Sequence, residues 1–226
     1  MQENEFSSLL NDLKSKANES LALFNKKIIN SKLEFLGLYT KELKSIANKY
    51  KNIDINTFEL NRYYEINFLY FYIYLKRTKD LNLQLDFIKN NLQYIDTWAI
   101  VDQTSSLLVD YKLETSKYLL SFDDEYLLRY AYVCLLKFTK DPKNIDYILS
   151  LLKNDKRYYV IMSEAWLLSY CFINDFNKTY SFYINNNNLN KEILLIGIQK
   201  AIDSYRVSKE NKLKLKELRK EIRNDK

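Results

Sequence analysis

Apolar side chains recur at helical spacing along almost the whole chain. In successive stretches of about ten to seventeen residues they return every three or four positions, which places them on one face of an α-helix. Short breaks rich in Asp and Asn separate these stretches and suit helix caps and turns. The pattern predicts helices at roughly residues 3–18, 20–35, 40–51, 56–76, 80–93, 95–110, 113–121, 124–139, 143–153, 157–173, 175–186, 190–205 and 208–223.

The scarcity of turn residues favours an all-α fold. The 226 residues include only 2 Gly and 1 Pro, too few for a protein built from strands and tight hairpins. A hydrophobic fraction of 47%, with 15% aromatic residues, argues against disorder, and the length allows a sizeable core. Because no Gly/Ser-rich linker divides the chain, we predict a single domain over residues 1–226, ending in a basic helix at about 208–223.

Two later helices resemble each other in sequence. Leu127–Phe138 aligns with Ile161–Phe172 at an offset of 34 residues, and each segment is followed by another short helix. A helix-pair repeat of this size suggests an α-α superhelix, a solenoid of the HEAT or TPR kind. The TPR consensus is not apparent, so HEAT-like repeats are favoured. Such stacks curve, and their concave faces are binding surfaces.

The composition excludes several kinds of active site. The chain has no histidine, which rules out histidine-based catalytic triads and most zinc sites. Gly37 and Gly197 lie far apart, so no glycine-rich phosphate loop exists to hold a nucleotide cofactor. We therefore expect no metal and no organic cofactor. Any catalysis has to use carboxylates, Tyr, Trp, Lys or Arg.

The sequence also indicates a compartment. No apolar run is long enough to span a bilayer, and the acidic segment Met1–Phe6 lacks the plan of a signal peptide. Cys134 and Cys171 lie among apolar neighbours within helical patterns, as expected of small buried side chains in a reducing cytosol. We predict a cytoplasmic monomer with no membrane partner.

Much of the net charge of +6 is local to the end of the chain. Residues 206–226 hold nine Lys or Arg and four Asp or Glu, an excess of five positive charges. The segment is either a solvated terminal helix or a tail that attracts phosphates, and both interpretations remain open.

Trp98 and Asp102 lie four residues apart within Thr97–Asp102. On a helix, this spacing puts an aromatic face beside a carboxylate on one side. In a basic chain, such a pair suits a cationic or sugar-like group held against a polyanion. The same spacing also occurs where a core tryptophan precedes a solvated aspartate.

Several segments, in this order and spacing, resemble the DNA alkylation repair family, the HEAT-like-repeat alkylpurine DNA glycosylases. The resemblance covers about residues 5–220. It rests on the Phe-Leu-Gly turn in Glu34–Lys41, the aromatic-Glu start in Tyr63–Glu65, the Trp-xxx-Asp motif in Trp98–Asp102, Arg129 with Lys137, Tyr158–Trp166, and the last-helix segment Ala201–Ser208.

The resemblance implies a role for each matching residue. Asp102 corresponds to the catalytic aspartate, and Trp98 and Trp166 correspond to two cleft tryptophans. Arg129 corresponds to a phosphate-contacting arginine and Lys137 to a DNA-contacting lysine; at eight residues apart, both are expected to face one phosphate track. The implied reaction excises cationic N3- or N7-alkylated purines from double-stranded DNA without base flipping and without a cofactor.

The chain departs from the family pattern at three residues, and its stretch between Gly37 and Trp98 looks shorter than in active members. Ile28 stands where the family often has a tyrosine, Ile161 stands where close relatives often have a lysine, and Glu164 is expected to add a negative charge beside the cleft. Two alternatives therefore remain open: a non-catalytic HEAT-like DNA-binding protein of the same family, and a protein-interaction scaffold. A basic concave face favours DNA, whereas an apolar groove favours a peptide.

Overall fold

The computed structural model describes residues 5–185 and 189–224, and within them the chain is all-helical. The α-helices are α1 (Glu5–Ser15), α2 (Glu19–Ile29), α3 (Thr40–Lys49), α4 (Tyr64–Arg77), α5 (Leu81–Asn90), α6 (Trp98–Thr104), α7 (Leu113–Leu119), α8 (Glu125–Leu135), α9 (Ile145–Ser150), α10 (Tyr158–Asn174), α11 (Phe176–Asn185), α12 (Lys191–Asp203) and α13 (Lys209–Asn224). Short 3-10 turns occur at Ile55–Thr57, Leu92–Tyr94, Ser105–Leu107, Leu136–Lys140 and Pro142–Asn144. No strand forms within these ranges, and β-type pairing there is limited to one bridge between Glu34 and Tyr63.

Every predicted helix has a counterpart, which confirms the all-α fold class; residues 3–4 and 186 of the predicted ranges lie outside the described residues. The largest difference is at the start of α4, which begins at Tyr64 instead of residue 56. A 3-10 turn at Ile55–Thr57 and the bridge to Glu34 occupy the intervening segment. The helix predicted to begin at about residue 124 does so, because α8 begins at Glu125 and the Asp124 carboxylate caps it.

The chain forms two compact units, Met1–Tyr111 and Lys112–Lys226, so the single domain expected from the sequence stays a prediction. In the first unit, α4 is the central helix. Eleven of its fourteen residues are buried, on all sides of the helix, and it packs against α3 and α6. A helix that is buried on all sides has no polar face, whereas a helix at the surface buries one face only. The helices α1, α2 and α5 lie nearer the surface and are correspondingly more amphipathic than α4.

In the second unit, successive helices pack as neighbours. The long helix α10 packs between α8 and α12, and α13 packs on α12. The two segments aligned at an offset of 34 lie largely on α8 and α10, and their matching small residues Ala131 and Ala165 are both fully buried. Helices that stack side by side on equivalent faces are consistent with a helical-repeat superhelix.

The cysteines lie in the described part of the chain. Cys134 and Cys171 are both buried and are not joined in a disulfide. Burial raises the pKa of the Cys171 thiol to about 12, as expected of a side chain that packs as a small hydrophobe. Among the described helices, none is long and apolar enough to cross a membrane.

Candidate functional site

The start of α6 is tied to the end of α2 by side-chain hydrogen bonds. The hydroxyl of Thr97 donates to the carbonyl of Ile29 (2.8 Å). Just before it, one oxygen of Asp96 accepts from the Ser31 hydroxyl (2.5 Å) and from the Lys32 amide (2.9 Å). These bonds join residues more than sixty positions apart and fix where the first turn of α6 begins.

Trp98 and Asp102 occupy the first and second turns of α6, and each is half-buried. The residues between them, Ala99 to Val101, point into the core. Burial raises the pKa of the Tyr64 phenol, and the negative charges of Glu65, Asp96 and Asp102 raise it further. The helix α6 that carries Asp102 packs against α4, and part of the Asp102 residue surface remains accessible.

A buried glutamate on α4 joins two segments that the sequence singled out separately. The Glu65 carboxylate accepts hydrogen bonds from the amides of Leu36 (3.0 Å) and Gly37 (2.9 Å). Burial raises the pKa of Glu65, and the backbone hydrogen bonds oppose that rise. The Phe-Leu-Gly turn and the aromatic-Glu helix start therefore form one structural unit.

Gly37 is required at this turn by both its conformation and its surroundings. Its φ is +81°, and a Cβ added there would lie 2.1 Å from the Asn18 carbonyl oxygen and 2.5 Å from the Ala22 nitrogen. The turn therefore packs closely against the backbone of the first turn of α2. Because α2 in turn holds the start of α6, Glu65 supports the helix that carries Trp98 and Asp102.

Arg129 and Lys137 lie in different environments. Arg129 is only 5% exposed, and its guanidinium donates to the Tyr159 carbonyl (2.9 Å). Lys137 is exposed, with its Nζ 5.0 Å from the centre of the Phe138 ring. The α-helix on which their common face was expected ends at Leu135, and Lys137 belongs to a tighter 3-10 turn, which changes the direction of its side chain.

A second backbone contact to Tyr159 comes from one turn earlier on α8. The Glu125 carboxylate accepts from the Tyr159 amide (3.0 Å), while Arg129 donates to the carbonyl of the same residue. The pair therefore clamps the start of α10 onto α8. The role of Glu125 was not predicted from the sequence, although its i,i+4 spacing from Arg129 at a helix start is a visible signal.

Trp166 lines a cleft of about 430 Å³ in the second unit. The tryptophan is half-buried, and its ring centre lies 6.1 Å from that of Tyr170. Lys200 and Arg206 also line this cleft, and the Arg206 guanidinium lies 5.4 Å from the Tyr170 ring. The tryptophan thus belongs to a partly accessible surface that combines aromatic rings with basic groups.

Glu164 does not add charge to that surface, contrary to the expectation from sequence. The residue is fully buried, and one carboxylate oxygen accepts from the Lys153 amide (2.7 Å). Residues two positions apart on an α-helix point to nearly opposite sides. Glu164 therefore faces the interior, whereas Trp166 on the same helix faces the cleft. Of the other two departures, Ile161 is buried and Ile28 is 49% exposed on α2.

The sequence matches a known protein family over most of its length. A family model described as DNA alkylation repair enzyme matches residues 9–195, a range that includes Trp98, Asp102, Arg129, Lys137 and Trp166. No curated protein matches the chain. The family match supports a role in DNA repair, with DNA as the partner. The chain belongs to the DNA alkylation repair enzyme family.

Proposed function

We propose that this protein is a DNA glycosylase that excises purines alkylated at N3 or N7. One observation carries the proposal. In a member of the DNA alkylation repair enzyme family, a half-buried carboxylate, Asp102, lies one helical turn from Trp98, on a helix whose start is held by hydrogen bonds. This is the arrangement that hydrolysis of a labile glycosidic bond needs.

The chemistry requires stabilisation of a positively charged sugar. Alkylation at N3 or N7 makes the purine cationic, so it leaves as a neutral base and takes the electrons of the glycosidic bond with it. The sugar becomes oxocarbenium-like, and water adds at C1′ with loss of a proton, which leaves an abasic site. The Asp102 carboxylate stabilises the developing charge and orients the attacking water.

A fixed carboxylate is more effective in this role than a mobile one, since it needs no reorganisation during the reaction. The anchoring of α6 through Thr97 supports such a role for Asp102. Trp98 offers a π face to the cationic sugar from the same helix, and Trp166 offers an aromatic surface to the DNA from the second unit. No step of this hydrolysis needs a metal or an organic cofactor.

The proposed route keeps the lesion within the base stack. The accessible groups at Trp98 and Asp102 then meet the sugar-phosphate backbone, and selectivity comes from the lability of the cationic lesion. Lys137 contacts a phosphate through its exposed ammonium group. Arg129 contributes mainly by holding the start of α10 through Tyr159, although a phosphate contact from its guanidinium stays a prediction.

Replacement of Asp102 tests the proposal. Asp102→Asn keeps the shape of the side chain and removes its charge, so we expect excision to fall by about 10²–10³-fold with DNA affinity retained. Release of 3-methyladenine and 7-methylguanine from methylated duplex DNA is measured as the excess over spontaneous depurination. Asp110→Asn is the matched control, because Asp110 is an exposed carboxylate of the same unit with a positive φ that Asn tolerates.

Two results would contradict this assignment in different ways. If the wild type releases no base beyond the spontaneous rate, the protein is not a glycosylase. If the wild type is active and Asp102→Asn equals it, the protein is a glycosylase but its catalytic carboxylate lies elsewhere.

A second candidate function is DNA binding without excision. It is favoured by α2, where Ile28 stands at a position that often holds a tyrosine in the family, so the recognition surface differs from the family pattern. The helix has no buried residue and exposes Leu23 and Phe24 beside Ile28. This candidate predicts salt-dependent duplex binding by the wild type with no excess base release. The same assay therefore separates the two functions.

A further inference from the structure

Two clefts of the second unit adjoin each other and share Lys200. One, of about 600 Å³, lies where α10, α12 and α13 meet; the other, of about 430 Å³, is the cleft that contains Trp166. Together they present five basic side chains, which we call the cationic strip: Lys191, Lys200, Arg206, Arg219 and Arg223. The acidic residues that line the same clefts are Glu192 and Asp203. The surplus of positive charge favours a polyanionic ligand.

Arg219 is held in position but not saturated with acceptors. Its Nη1 donates to the Gln199 side-chain oxygen, and its buried Nε has no hydrogen-bond partner among the residues that the structure describes. The amide group of Gln199 donates to Asp203 (2.7 Å), which directs the Gln199 oxygen towards the arginine. A guanidinium oriented in this way retains strong donor capacity for an anion, because its charge is not neutralised by a carboxylate.

Arg223 lies one turn further along α13 and is exposed. Among the described residues it makes no ion pair and no hydrogen bond. Lys214, by contrast, is paired with Glu210 on the same helix (2.9 Å). Within the described part of the chain, the two arginines of α13 that line the cleft make no ion pair, whereas Lys214 outside it makes one.

Aromatic side chains lie beside the basic groups in the cleft that contains Trp166. Arg206 lies over the Tyr170 ring at 5.4 Å, Trp166 lines the same cleft, and Tyr205 is 93% exposed. A large ring left almost wholly in water, next to basic groups, is typical of surfaces that contact nucleotides. An acidic peptide would account for the charge but not for these rings.

We propose that the cationic strip binds the phosphodiester backbone of duplex DNA beside Trp166, and that this is the role of the basic helix α13. Arg219 and Arg223 contact phosphates from α13, Lys200 contacts them from α12, and Arg206 contacts them from the segment between these helices. The proposal extends the proposed function by adding a DNA contact made by residues of the second unit alone. It concerns binding alone, so it does not depend on excision.

The double variant Arg219→Gln/Arg223→Gln tests the strip. Binding of an undamaged duplex is measured by fluorescence anisotropy over a range of salt concentrations. Loss of two phosphate contacts should weaken binding at least tenfold at about 0.1 M salt and reduce the slope of log affinity against log salt by about two. Lys216→Gln/Lys220→Gln is the matched control, since it removes two charges from exposed positions of α13 that do not line the clefts. Its slope should stay within about one of the wild type.

A second pair guards against a packing effect, because Arg219 contacts Gln199 on α12. Lys200→Gln/Arg206→Gln removes two charges of the strip that lie outside α13, and we expect a similar loss of affinity and slope. If this pair and the α13 pair both bind duplex DNA as the control variant does, the strip is not a DNA contact. Equal losses for duplex DNA and heparin would also overturn the proposal, because the strip would then be a general polyanion site.

The outcome is separable from that of the proposed function. All variants are also measured in the Asp102→Asn background, where excision is removed and binding is expected to remain. If the wild type releases no excess base but the strip variants bind duplex DNA more weakly, the glycosylase assignment is wrong and the DNA contact is supported. If the wild type is active but the strip variants bind as the control variant does, the DNA contact is wrong and the glycosylase assignment is supported.

Discussion

At the scale of single residues, two fully buried glutamates differ in how their charge is accommodated. Both carboxylate oxygens of Glu65 accept backbone amides, from Leu36 and Gly37. Glu164 receives the Lys153 amide on one oxygen, and among the described residues its other, buried oxygen has no hydrogen-bond donor within bonding distance. The hydroxyl of Tyr132, which lies near this carboxylate, donates to the Leu151 carbonyl (3.2 Å).

Burial raises the pKa of both glutamates above the ordinary value of 4.5. A raised pKa means that the folded protein binds the proton more tightly than the unfolded chain. The contribution to stability is therefore fully present below pH 4.5 and is lost as the pH rises through the folded-state pKa. Between pH 4.5 and the folded-state pKa, the free energy of unfolding should fall with increasing pH.

Glutamine at these two positions should have different effects on the free energy of unfolding. Glu164→Gln should flatten the pH dependence and preserve stability at neutral pH, since an uncharged amide can donate to the Tyr132 hydroxyl oxygen. Glu65→Gln should lower the free energy of unfolding by about 1.5–3 kcal/mol, because an amide NH₂ would then face a backbone N–H donor. Urea denaturation of both variants between pH 5 and pH 8 checks this. Equal destabilisation by the two substitutions would contradict the difference in their hydrogen bonding.

At the scale of helices, two side chains of α8 bind one backbone position at the start of α10 and add to the packing between these helices. Glu125 and Arg129 lie one turn apart on α8 and bind the amide and the carbonyl of Tyr159, respectively. The clamp places the start of α10, and hence the turns that carry Glu164 and Trp166. The same arginine is the one that family resemblance assigns to a DNA phosphate.

Arg129 and Lys137 should therefore respond differently to substitution. Arg129→Gln should lower the free energy of unfolding by about 1.5–3 kcal/mol, because it removes a charged hydrogen bond from a buried site. Lys137→Gln should change stability by no more than about 0.5 kcal/mol and weaken duplex binding in a salt-dependent way. Urea denaturation and fluorescence anisotropy on both variants separate stability from binding. If Arg129→Gln is as stable as the wild type, Arg129 does not anchor α10.

At the scale of the whole molecule, charge favours nucleic acid over a peptide. The chain carries a net charge of +6, and its basic groups include both the exposed Lys137 and the cationic strip. We expect binding to undamaged duplex DNA whose log affinity falls linearly with log salt between about 0.05 and 0.2 M. Binding that is absent at low salt, or insensitive to salt, would instead favour a protein-interaction scaffold.

The sequence alone determined the features that depend on local spacing. The recurrence of apolar residues specified where the helices lie, because a helical period is visible within a few turns. The same period placed Trp98 and Asp102 one turn apart on α6. The order of short motifs was sufficient to identify the family, which the match over residues 9–195 confirms.

Only the tertiary structure decided which polar side chains face inwards. Arg129 binds Tyr159, thirty residues away, and Glu65 binds Gly37, twenty-eight residues away; neither pairing follows from helical spacing. Glu164 and Trp166 are two residues apart on one helix, yet one is fully buried and the other lines a cleft. The cationic strip likewise combines residues from α12, α13 and the segment between them. The physical reason is that the environment of a charged or aromatic side chain is set by the neighbouring helices, whose contacts are distant in sequence.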